Sequence, residues 1–177
     1  MTKSILVVDD EQANRDLLEA VLAEEGYRVR LADSGVKALA TAVGELPDLI
    51  RLDLMMPGMS GFEVCRQLRA DPTTQAIPII VITALGQLKS KEALLTEGAD
   101  DYVTKPIQID DMRARVAALL AVRDIDEQPA RTLAYLRALE GTAAARVHPA
   151  AACGKVPDAV SQLPWRQVSA ERSRSPW

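Results

Sequence analysis

The chain has 177 residues, of which 48% are hydrophobic and 26% charged, with a formal net charge of −4. That length allows a full-sized core, and the balance excludes both an unstructured chain and a polycation that binds nucleic acid by charge alone. Cys65 and Cys153 stand far apart without companion histidine ligands, so neither a disulfide framework nor a zinc site is expected, and a reducing cytoplasm fits.

Residues 1–4 lead directly into an apolar run, without the long hydrophobic region or small-residue cleavage site of a signal peptide. The longest apolar stretch, 77–85, is too short to span a bilayer and carries Pro78 and Thr83, so no membrane association is expected. Charge divides the chain near residue 124. Residues 1–124 hold 20 acids and 14 bases, and residues 125–177 hold 5 acids and 7 bases. A domain over 1–123 and an Ala/Pro-rich tail over 124–177 follow from that shift.

The first 123 residues read as five repeats of a short apolar strand and an amphipathic helix. Residues 5–8, Ile-Leu-Val-Val, have the unbroken apolar character of a strand covered on both faces. Leu17, Leu18, Val21 and Leu22 make the stripe of a first helix that stops at Gly26. Residues 27–31 are the second strand; Ser34 caps a second helix bearing Val36, Leu39, Ala40 and Val43 before Gly44. The third strand is 48–53, after which the turn 57–61 leads to a helix whose Phe62, Cys65 and Leu68 face the core. Residues 79–83 form strand four, 87–97 a fourth helix ending at Gly98, and 101–104 strand five. Ile109, Met112, Val116 and Leu119 mark the closing helix, with Asp110 and Asp111 in its first turn.

Strands joined through helices run parallel, and right-handed crossovers put helices on both faces of the sheet. The fold class is therefore a doubly wound α/β domain, whose ligands bind beyond the carboxyl ends of the strands. Those ends carry Asp9 and Asp10 after strand one, Asp53 on strand three, Thr83 on strand four and Lys105 after strand five. Three crowded carboxylates repel one another, and an incomplete cage of oxygens suits Mg²⁺ better than Zn²⁺. Such a site suits phosphoryl transfer, with Asp53 as nucleophile and with Mg²⁺ and Lys105 balancing the charge on the phosphoryl oxygens. Taken singly, Asp9-Asp10 caps a helix, Asp53 starts a turn, Thr83 ends a strand and Lys105 is a solvated charge. Five polar residues at four strand ends of an apolar sheet argue instead for one shared site.

Asp9-Asp10, residues 52–58 (Leu-Asp-Leu-Met-Met-Pro-Gly), Thr83-Ala84 and Lys105-Pro106 resemble, in order and spacing, the signature of the response-regulator receiver family. The resemblance covers about residues 3–123, especially receivers attached to diguanylate cyclases and single-domain regulators. It implies a flavodoxin-like five-stranded sheet of order 2-1-3-4-5. It also implies that Asp53 is the phosphoacceptor, Asp10 a direct Mg²⁺ ligand, Asp9 a ligand acting directly or through water, and the Met55 backbone carbonyl a further ligand. Thr83 and Tyr102 would be the switch pair, Lys105 the phosphate partner, and the Lys105-Pro106 bond cis. The donor would be a sensor histidine kinase or a histidine phosphotransfer protein. Phosphorylation would remodel the face made by the fourth predicted helix, strand five and the closing helix, through which a homodimer could form. The chain would then be a phosphoprotein of two-component phosphorelay signalling, dephosphorylating itself slowly and turning over no substrate.

Arg51 departs from the pattern. It lies between Ile50 and Leu52 inside strand three and, by alternation, on the face of Asp53. Either it reaches an acidic partner such as Asp48 or a helix carboxylate, the preferred reading, or it weakens the fold; Arg51→Leu is expected to raise the melting temperature. Because Arg51 stands close to the pocket, a pseudo-receiver acting as a phosphorylation-independent interaction module is the alternative function. An aspartyl-phosphate phosphohydrolase would need an acid two residues after its nucleophile, and Met55 stands there. In the tail, 130–146 reads as one helix with Leu133, Leu136 and Leu139 on one side, and the rest as disordered. No helix-turn-helix pattern or basic face is visible there, so direct DNA binding is not expected.

Overall fold

The computed structural model describes residues 2–84, 98–125 and 133–140; Leu85, the expected fourth helix at 87–97 and the tail beyond 140 lie outside them. The elements in chain order are β1 (Ser4–Val8), α1 (Gln12–Glu24), β2 (Arg28–Ala32), α2 (Gly35–Glu45), β3 (Leu49–Asp53), α3 (Gly61–Ala70), β4 (Ile79–Ala84), β5 (Asp101–Lys105) and α4 (Ile109–Val122). A further helix, α5, spans 133–140. Among the described residues, no helix is long and apolar enough to cross a membrane.

The sheet is five-stranded and parallel, in the order β2-β1-β3-β4-β5. Alternation along the central strands makes two cores. Leu6, Val8, Ile50 and Leu52 pack with Ala38 and Ala42 of α2 and with Val64, Cys65 and Leu68 of α3. Ile5, Val7, Leu49, Ile80 and Ile82 point the other way, onto Leu18 and Leu22 of α1 and Met112, Val116 and Leu119 of α4. Apolar side chains on both surfaces of β1 and β3 are what their unbroken hydrophobic runs require. The chain is thus a doubly wound α/β fold with helices on both faces.

Several local expectations shift. The inward face of α2 is Gly35, Ala38 and Ala42, whereas Val36 and Val43 are 65% and 51% exposed. Small residues are needed there because α2 lies close to α3: a Cβ on Gly35 would sit 2.8 Å from Val64 Cγ2 and 2.9 Å from Met59. Leu17, expected on the stripe of α1, is 53% exposed. Ser34 holds the N-cap position of α2 without a side-chain cap bond, and the left-handed residue that ends the helix is Leu46 (φ 46°), beyond Gly44. Glu11, one residue after the Asp9-Asp10 pair, is the N-cap of α1. By contrast, α3 begins with a complete capping box: Ser60 Oγ accepts from the Glu63 amide while the Glu63 carboxylate accepts from the Ser60 amide.

Polar links hold the far end of the sheet, opposite the carboxyl ends of its strands. Asp48 accepts the Ser4 amide at 2.7 Å and is ion-paired with Lys3 and Arg123. Arg69, in the last turn of α3, donates to the carbonyls of Gly98, Gln75 and Ile77 and to Asp100 Oδ2, all within 2.7–2.8 Å. Asp100 Oδ2 also accepts the Ile79 amide at 2.8 Å, which ties the starts of β4 and β5 together. Tyr135 of α5 packs on the core beneath α1 and α4 and donates its hydroxyl to Asp101.

Candidate functional site

The site lies at the carboxyl ends of β1, β3, β4 and β5. Asp53 ends β3, fully buried, and its two oxygens have separate partners: Oδ1 accepts the Met55 amide at 3.0 Å, and Oδ2 accepts Lys105 Nζ at 2.5 Å. Lys105 can reach across because β4 separates the two strands only by its own width, with Asp53 opposite Ile82 and Lys105 opposite Ala84. The carbon stem of Lys105 is partly covered, which keeps its ammonium close to the carboxylate. The Lys105-Pro106 peptide bond is cis.

Asp9, Asp10 and Asp53 each present a carboxylate oxygen, and these three atoms lie within 4.8 Å of one another. Asp9 is buried and Asp10 exposed, so the group opens to solvent on one side. Hard oxygen donors with an open side suit a divalent cation such as Mg²⁺, which keeps several of its waters. The chain's residues therefore fit the ion that the resemblance implies.

Asp9 is the most constrained of the three. Its Oδ1 accepts the Glu11 amide at 3.0 Å and Asn14 Nδ2 at 3.2 Å, and its Oδ2 accepts Arg51 Nη1 at 2.6 Å. Burial pushes its pKa up, but the Arg51 guanidinium, helped by Asn14 and the Glu11 amide, holds the carboxyl below the usual aspartate range. Arg15 adds a bond from Nη1 to the Asp9 carbonyl at 2.7 Å.

Thr83 is fully buried and, among the described residues, its hydroxyl donates a long bond, 3.4 Å, to the Ala84 carbonyl. Tyr102 is half-buried against the core beneath α2 and α3. Met55 is an exposed side chain at the mouth. The sequence-derived residues thus meet at one end of the sheet, with Thr83 and Tyr102 on the adjoining strands.

Arg51 corrects the sequence reading. It is fully buried rather than reaching toward solvent, and its partner is neither Asp48 nor a helix carboxylate. Asp48 already serves Ser4, Lys3 and Arg123, whereas Arg51 pairs with Asp9 and donates to the Val8 carbonyl at 3.2 Å. Register explains the choice: Arg51 lies beside Val7, two residues before Asp9. Its Nε and Nη2 have no hydrogen-bond partner among the described residues. Asn14 and Arg15 were also missed; their positions on the first turn of α1, just after Asp9, were the available signal.

Comparison with known proteins agrees with this geometry. The family model for the response regulator receiver domain matches residues 5–117. RpaA of Synechocystis sp., a DNA-binding dual master transcriptional regulator, is 47% identical over 127 residues, covering 72% of this chain and 53% of that protein. Response regulator PleD of Caulobacter vibrioides is 52% identical over 119 residues, covering 67% of this chain and 26% of PleD. The chain therefore spans about half of one relative and a quarter of the other. A response-regulator structure from Chloroflexus aurantiacus matches with TM-score 0.65 at 37% identity, over 68% of this chain and 99% of its own. The receiver domain of sensor histidine kinase PA1611 from Pseudomonas aeruginosa, solved with magnesium coordinated in its active site cleft, matches with TM-score 0.58 at 32% identity, over 64% of this chain and 93% of its own. With a matching family model over most of the chain and a sheet of the same winding, this protein belongs to the receiver-domain family of two-component response regulators.

Proposed function

We propose that the protein is a phosphorylation-controlled switch whose acceptor is Asp53. The observation that carries the reading is the pair of bonds on that carboxylate: Lys105 on Oδ2 and the Met55 amide on Oδ1, next to the oxygens of Asp9 and Asp10. An Asp53 oxygen attacks the phosphorus of a phosphohistidine on a sensor histidine kinase or phosphotransfer protein. The P–N bond breaks, the imidazole leaves as the neutral ring after taking a proton, and an acyl phosphate forms on Asp53.

Bound Mg²⁺ supplies charge neutralisation on the phosphoryl oxygens. Asp10, Asp53 and the Met55 carbonyl would hold it, with Asp9 contributing through water because both of its oxygens already accept hydrogen bonds. Lys105 neutralises charge from the opposite side. The Thr83 hydroxyl, which donates a long bond to the Ala84 carbonyl, turns to the phosphoryl group, and Tyr102 follows it inward. The readout is the surface built from segment 87–97, β5 and α4, which acts by contact with a protein partner or a second copy. Residues 1–123 form the switch and 124–177 an appended segment. The protein works in the cytoplasm, hydrolyses its own acyl phosphate slowly and turns over no substrate.

The buried Arg51–Asp9 pair favours one second reading, a pseudo-receiver that binds partners without being phosphorylated. Incubation with acetyl phosphate and Mg²⁺ separates the two. A phosphoryl mass gain localised to Asp53 and absent from Asp53→Asn supports the switch; no gain under conditions that phosphorylate a control receiver supports the alternative.

A further inference from the structure

We propose that Arg51 is a built-in counter-ion that competes with the divalent cation for Asp9 and so weakens Mg²⁺ binding. The inference rests on the receiver reading above and concerns how its metal site is tuned.

The argument begins with charge. Three carboxylates and the Lys105 ammonium alone would leave the pocket with two net negative charges; the Arg51 guanidinium reduces this to one. A divalent cation is attracted less strongly to such a pocket, and because Arg51 and Asp9 are both fully buried, water screens the difference little.

Geometry strengthens the effect. Arg51 Nη1 lies 2.6 Å from Asp9 Oδ2, a charge-assisted bond. For Asp9 to turn that oxygen to a metal, the bond must be given up. The guanidinium could not follow into solvent, and its Nε and Nη2 already lack partners among the described residues. It would be left with the Val8 carbonyl at 3.2 Å as its one remaining bond among those described, an arrangement that buried charge resists. The other oxygen is committed as well, to the Glu11 amide and Asn14. The pocket is therefore preorganised without metal, and the ion binds into a site already partly neutralised.

The test is Mg²⁺ binding to the full chain, by isothermal titration calorimetry and by competition with Mn²⁺ followed by electron paramagnetic resonance. Arg51→Met removes the charge with a side chain of similar length, and about tenfold tighter Mg²⁺ binding is expected. Arg51→Lys keeps the charge, and its affinity is expected to stay close to that of the unaltered protein; Arg51→Gln removes the charge by another route, is expected to tighten Mg²⁺ binding as Arg51→Met does, and serves where Arg51→Met does not fold. Equal Mg²⁺ affinity in the unaltered protein and Arg51→Met, or tightening in Arg51→Lys as large as in Arg51→Met, would overturn the proposal while leaving the receiver reading intact. Absence of Mg²⁺ binding at millimolar concentration in all of these proteins would overturn the Mg²⁺-dependent switch reading and this inference with it.

Discussion

The Tyr135 hydroxyl donates to the same Asp101 oxygen that accepts Arg115 Nη1 at 2.6 Å, so one carboxylate at the start of β5 joins α4 to α5. Arg115 also reaches Asp111 at 2.9 Å, and the two acids raise its pKa against the effect of burial. Tyr135→Phe removes the link while keeping the ring that packs on the core. The loss is expected to be about 1–2 kcal/mol, seen as faster amide exchange across 133–140 with little change in the sheet.

The same tyrosine gives a pH dependence. Burial raises its pKa, and the Asp101 charge raises it further. The folded protein therefore keeps a proton that the unfolded chain releases near about pH 10. A raised pKa contributes stability that is complete below that pH and is lost as pH rises above it. Tyr27 shifts in the same direction, through burial and Glu25, so the measurement must be a difference. Between pH 9 and 11 (about one unit either side of the ordinary tyrosine value), denaturation midpoints of the unaltered protein should fall more steeply than those of Tyr135→Phe.

Arg51→Leu has a sign that depends on metal. The sequence alone leads to the expectation of a higher melting temperature; the close, buried pair with Asp9 argues for the opposite sign when no metal is present. Removing the guanidinium leaves Asp9 buried beside two other carboxylates, against which the relief of Nε and Nη2 offsets only part of the loss. A net loss of roughly 1–3 kcal/mol is expected in chelator. Saturating Mg²⁺ should then raise the melting temperature of Arg51→Leu by more than it raises that of the unaltered protein. Equal metal-induced shifts would contradict this account.

Two glycines differ in what surrounds them. A Cβ on Gly61 would lie 2.3 Å from the Asp53 carbonyl oxygen and 2.7 Å from Leu54 Cα, both backbone atoms, whereas at Gly35 the close atoms belong to side chains. Gly61→Ala should therefore destabilise more than Gly35→Ala, by about 1–3 kcal/mol or above, and should also lower the rate of phosphorylation because the strain falls on Asp53. Chemical denaturation and acetyl phosphate labelling of both variants check the order.

Met55 is apolar and exposed beside the Asp53 carboxylate. If its side chain hinders the approach of water to an acyl phosphate, Met55→Asn should shorten the phosphorylated lifetime several-fold without altering the fold. An unchanged lifetime by phosphoryl-specific gel mobility would rule that role out.

How far the sequence could be read depended on the range of the interaction. Strand and helix order followed from local apolar runs, and the cluster of strand-end residues followed from order plus topology. The face of α2 is not legible locally because Val36 and Val43 look like core residues, while the demand for closeness comes from Val64 of α3 and Met59 of the turn before it. Leu46 in a left-handed conformation has no local signal, since Gly44 nearby is the better candidate. Arg51 was noticed but given the wrong partner, because parallel register with β1 settles that choice and register is a property of two strands.

Arg69 spends every arm of its guanidinium on the floor of the domain, binding the end of α3, the lead into β4 and the lead into β5. The floor is thus clamped while the opposite rim carries the reactive groups. For the proposed switch, the expected consequence is a door on a fixed hinge: motion started near Thr83 swings the upper ends of β4 and β5, while the bonds of Arg69 and Asp100 oppose sliding of either strand.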